Sequence, residues 1–163
     1  MSNVSRKIAK KYRYLFYGFL SLSVFSGSGF WLLRNFAMVE GDFGPESHFL
    51  QYPFLQLHGF AAFMMLMALG SIFTSHVSKT WTLGKAKKSG ITLMSFIIFS
   101  LLSAYSLYYL VGEDWHTVMG NSHAVVGLLL PTLLIVHIKI ARKSLKKKAH
   151  YHSKTKKRAH SSQ

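Results

Sequence analysis

Four histidines in this 163-residue chain sit where an imidazole is costly. His123 and His137 bracket the almost wholly apolar run 124–136, and His58 and His76 bracket 59–75, also nearly all apolar. Ionisable side chains inside a bilayer are expensive and mark functional sites. The first pair is 14 residues apart, close to four helical turns. The second is 18 apart, five full turns, so each pair shares one face of its helix. Two such helices facing one another form an upper and a lower bis-imidazole site. Neutral imidazole is a favoured metal ligand, and a pair of them on either side of an iron porphyrin is an established haem ligation. The pattern predicts a membrane cytochrome with two b-type haems, one at His58 and His123, the other at His76 and His137.

The elements that must position these residues are legible as apolar runs. Half of the chain is apolar, with 13 Phe, 8 Tyr and 3 Trp. Four stretches are long enough to cross about 30 Å of hydrocarbon: residues 14–33, 53–77, 91–111 and 118–140. The expected fold is all-α, an integral membrane four-helix bundle in one domain, residues 1–140. The first turns of the basic remainder, 141–163, can extend the fourth helix; the rest has too little apolar surface to fold and is expected to be disordered. No cysteine is present. That excludes disulfides, thiolate zinc sites, iron–sulfur ligation and covalent haem attachment through C-x-x-C-H.

The formal charge of +15 would suit nucleic acid, but its distribution points to membrane orientation instead. The N-terminus, the second loop and the stretch from Lys139 onward hold 19 of the 20 Lys and Arg residues. The first and third loops hold Arg34 and all five carboxylates: Glu40, Asp42, Glu46, Glu113 and Asp114. By the positive-inside rule both termini are cytoplasmic. The basic tail suits topology and attraction to anionic lipid, or docking to a partner.

With that orientation His58 and His123 lie at similar depths near the outer surface, and His76 and His137 near the inner one. On the fourth span the face continuing from His123 is Gly127, Leu130, Leu134 and His137, with Gly127 leaving room for a porphyrin edge. On the second span it is His58, Ala62, Met65, Leu69, Ile72 and His76. Ligands on facing helices are how four-helix bundles hold cofactors. The rises differ, about 27 Å on span two and about 21 Å on span four. Tilt, a kink at Pro131 or a tilted inner haem would absorb the difference; alternatively His76 is an ordinary interfacial histidine. The first span carries Ser21, Ser23, Ser26, Gly27, Ser28 and Gly29, small residues that let helices approach closely or let a cofactor abut the helix. His48 and His116 fall in outer loops, where solvation is the simplest reading, and His150, His152 and His160 in the tail.

The sequence from His123 through Gly127 to Val136-His137-Ile138 resembles the last haem-binding helix of bacterial di-haem membrane cytochromes b. It is most similar to small four-span subunits such as the gamma subunit of respiratory formate dehydrogenases. The resemblance covers all four spans in topology and spans two and four in motif. In those subunits the first span supplies an inner haem ligand; here that span has no histidine, and His76 would stand in. The resemblance implies a bacterial inner-membrane subunit that passes electrons between quinone or quinol and a partner redox subunit, a cytochrome c or an iron–sulfur protein. It implies an electron-transfer subunit of an oxidoreductase complex rather than an enzyme alone, since the loops are too short for a catalytic domain. Tyr12, Tyr14 and Tyr17 at the inner edge, and Gln51, Tyr52 and Trp115 at the outer, are placed to meet a quinone, but interfacial aromatics are anchors by default. Two other readings stand: a histidine-lined metal-ion or proton transporter, and a non-redox membrane anchor. The spans hold no carboxylate, which counts against the transporter.

Overall fold

The structure is a computed structural model that describes residues 10–73 and 85–161. Among the described residues four helices are long and apolar enough to cross a membrane: Tyr12–Phe36, Gln51–Ile72, Lys87–Tyr109 and Glu113–Ser144. They belong to α1 (Lys10–Phe36), α2 (Gln51–Ile72), α3 (Lys85–Tyr109) and α4 (Glu113–Ser161). Each predicted span falls on one of them, residues 74–77 of the second lying outside the described residues. The fourth helix starts five residues earlier than expected. Glu113 and Asp114 occupy its first turn, where negative charge is favoured by the helix dipole.

Two features depart from expectation. The loop after α1 folds back as a ribbon of β1 (Val39–Gly41) and β2 (Gly44–Glu46), antiparallel, with Gly41 opposite Gly44. Its turn needs φ +119° at Gly44, a backbone region that glycine alone enters readily. The second departure is the tail, which is helical rather than disordered: α4 continues without a break to Ser161. The tail's Ala, Lys and Arg are good helix formers, and cations suit a helix C-terminus. Pro131 lies inside the same helix; having no N–H, it leaves the Gly127 carbonyl without its usual partner.

The helices pack as two antiparallel hairpins, α1 with α2 and α3 with α4, which meet through α1 and α4. On α1 the buried residues Phe16, Leu20, Ser23 and Ser26 recur at helical spacing. Ser26 and, on α2, Ala61 are fully buried. Lipid tails are as apolar as leucine, so helices in a bilayer associate by close backbone approach over small residues. The Ser26 hydroxyl is satisfied within its own helix, donating to the Leu22 carbonyl at 2.7 Å. Large residues such as Phe25, Phe60, Phe63, Leu102 and Val125 are exposed, as a lipid-facing surface requires.

The expected pairing of spans two and four is met only in part. Their principal neighbours are α1 and α3 respectively. Their histidines nevertheless come together, as described next.

Candidate functional site

His58 faces the middle of α1. Its Nδ1 lies 2.9 Å from the Ser23 carbonyl and 3.4 Å from the Ser23 hydroxyl. A carbonyl can only accept, so Nδ1 carries the proton and Nε2 presents a lone pair. Gly27 permits this placement: a Cβ there would sit 2.8 Å from both Cε1 and Nδ1 of the ring. Two residues on, a Cβ at Gly29 would collide with the Phe54 ring. The glycines thus let α2 lie against α1 with His58 pressed on its backbone.

His123 is held in the same way from the other hairpin. Its Nδ1 is 2.8 Å from the hydroxyl of Ser103 on α3. That hydroxyl donates its one proton to the Ser100 carbonyl at 3.1 Å. It can then accept from His123 Nδ1, the tautomer in which Nε2 of the neutral imidazole carries the lone pair. Ser103 is almost fully buried, and both imidazoles are half-buried.

The two rings approach each other across the seam between the hairpins, with centroids 6.1 Å apart and planes at 85°. A simple sum tests what this gap suits. Two metal–imidazole bonds of about 2.0 Å, each with roughly 1.1 Å from nitrogen to ring centre, give about 6.2 Å. Metal-ligating histidines characteristically donate their second ring N–H to a carbonyl, carboxylate or similar acceptor, which fixes the tautomer. Both do so here. Among the described residues no three His, Cys, Asp or Glu side chains converge. Two imidazoles alone suit an ion that brings its own equatorial ligands, as a porphyrin iron does. A Cβ at Gly127, one turn beyond His123, would meet nothing within 4 Å, in keeping with the space expected there.

The lower level is partly described. His137 Nδ1 lies 3.0 Å from the hydroxyl of Ser89 on α3. A Cβ at Gly90 would meet its Cε1 at 3.4 Å. His76 lies outside the described residues.

Sequence reasoning found the histidines but missed the residues that orient them, Ser23, Ser89 and Ser103. The available signal was a serine on an odd-numbered span at the depth of each histidine. The histidines expected in loops are also more engaged, and His116 lies in the first turns of α4. His48 Nδ1 accepts from the Leu50 N–H at 3.2 Å, beside the start of α2, and its ring stacks on Phe49. His116 Nδ1 lies 3.2 Å from Nη2 of Arg34. Tyr12, Tyr14, Tyr52 and Trp115 are exposed. No known family, curated protein or solved structure matches this chain.

Proposed function

We propose that this chain is a b-type membrane cytochrome subunit that moves electrons across a bilayer between quinone or quinol and a partner redox subunit. One observation carries the reading. His58 and His123, from separate hairpins, bring their ring centroids to 6.1 Å, a separation at which both could ligate one iron, and each has Nδ1 tied to a neighbouring helix. These two would hold the outer haem. His137, oriented by Ser89, would hold the inner one, with His76 as its partner. The haem supplies the one-electron chemistry; the chain fixes ligand, depth and surroundings.

The residues' own contributions follow from their contacts. The Ser23 carbonyl and the Ser103 hydroxyl accept from the two imidazoles, which raises ligand basicity and fixes ring orientation. The apolar residues of α2 and α4 between the two levels exclude water. The sorting of Lys and Arg favours cytoplasmic termini in a bacterial inner membrane. A histidine-lined ion carrier draws no support from the described residues, where two imidazoles meet without a carboxylate or thiolate.

A reduced-minus-oxidised visible spectrum of the purified chain tests the reading. A sharp low-spin bis-histidine signature is expected. Single replacement of His58 or His123 by Ala should abolish the outer haem, and of His76 or His137 the inner one. Colourless protein from cells with ample porphyrin would refute it.

A further inference from the structure

Arg34, in the last turn of α1, is the only Lys or Arg among residues 34–50 and 110–138, and all five carboxylates fall in those same stretches. None of them pairs with it among the described residues. Its side-chain hydrogen bond is to an imidazole: Nη2 donates to His116 Nδ1 at 3.2 Å. A guanidinium is always charged and has five N–H donors in a planar fork matched to carboxylates. Held by an uncharged acceptor, it keeps its full charge and most of its donors.

Its position is defined by two helices. Arg34 is seven residues beyond Gly27 on α1, and His116 seven residues before His123 on α4. Each offset is about 10.5 Å along the helix, two turns. Between these levels Trp31 Nε1 donates to Asn121 Oδ1 at 3.0 Å, which locks α1 against α4. Arg34 therefore stands at the outer mouth of the seam that contains the opposed imidazoles. Two turns is about the reach of half a porphyrin with a carboxylate-tipped side arm.

We infer that Arg34, steadied by His116, is the anchor for the propionate carboxylates of the outer haem. The inference rests on the bis-histidine reading of His58 and His123. It assigns a role to a residue that touches neither imidazole.

The test uses the full chain carrying His137→Ala, so that the outer pair alone binds. Wild-type Arg34, Arg34→Gln and Arg34→Lys forms are loaded with haem b or with its dimethyl ester, whose propionates are uncharged. Transfer to excess soluble haem-scavenging protein is then timed. Loss of one charge-assisted hydrogen-bonded pair corresponds to roughly a tenfold change. Arg34→Gln should therefore release haem b about tenfold faster, with the low-spin spectrum unchanged, and Arg34→Lys should fall between. The ester should leave all three forms at one rate. Equal release of haem b from Arg34→Gln and its parent would overturn the inference. So would an equal acceleration with the ester, which would point to a lipid phosphate or another anion at Arg34. If the parent shows no low-spin spectrum with either porphyrin, the bis-histidine reading itself falls, and this inference with it.

Discussion

Gly27→Ala is the sharpest probe of how the site is held. The added Cβ would lie 2.8 Å from two atoms of the His58 ring. Ordinary contact between such atoms is about 3.5–4.0 Å, so ring or helix must yield by roughly 0.7–1.2 Å. Yielding by that amount takes Nδ1 from 2.9 Å to beyond hydrogen-bond range of the Ser23 carbonyl. Overpacking of this kind costs about 1–3 kcal/mol, and the lost bond adds about 1 kcal/mol. A ligand site tolerates only about 0.5 Å of misplacement. Outer-shell losses typically lower metal affinity by about 10–100-fold. Titration of the apoprotein with haem should therefore show weaker binding at the outer level and a fall in low-spin absorbance. Gly59→Ala and Gly18→Ala, whose added Cβ meets nothing within 4 Å, serve as controls and should bind normally. If Gly27→Ala binds haem with parental affinity and spectrum, then backbone contact with α1 does not position His58, and the argument from this glycine is wrong.

Three further outcomes are expected. Ser103→Ala removes the acceptor for His123 Nδ1, leaving the Ser100 carbonyl as the nearest substitute; haem affinity at the outer site should drop about 10-fold or more, while far-ultraviolet circular dichroism stays the same. Ser89→Ala should weaken only the inner site, seen as a change in one of two potentiometric waves; a matching change in both waves would contradict separate levels. Gly127→Leu should leave the thermal stability of the apoprotein close to parental, because the space beside it is open, yet lower haem uptake measurably. Unaltered uptake would mean that no porphyrin edge lies there.

Much of the fold is written locally in the chain. The four spans, the shared faces of the histidines and the segregation of charge all follow from periodicity and composition, which a helix expresses without help from its neighbours. The inward faces of α2 and α4 carry the predicted residues, with Ala62, Met65, Leu69, Leu130 and Leu134 at least partly buried. The helix runs further into the tail than expected for a related reason. Polarity argues against a packed core, but it does not prevent a helix from continuing outward from one already nucleated in the bilayer.

Which helix lies beside which was not legible, because it is decided by steric fit between segments far apart in sequence. Ser23 and His58 are 35 residues apart, Ser103 and His123 20, and Trp31 and Asn121 90. No period links such pairs. Lipid gives no hydrophobic preference among the possible pairings, so small residues such as Ser26, Gly27 and Ala61 select them by allowing backbones to close. The sequence by itself determined that His58, His123 and His137 sit on long apolar helices. Only the tertiary structure decided that Nδ1 of His58, His123 and His137 meets a serine on a neighbouring helix, and that the rings of His58 and His123 come within 6.1 Å of each other across the seam.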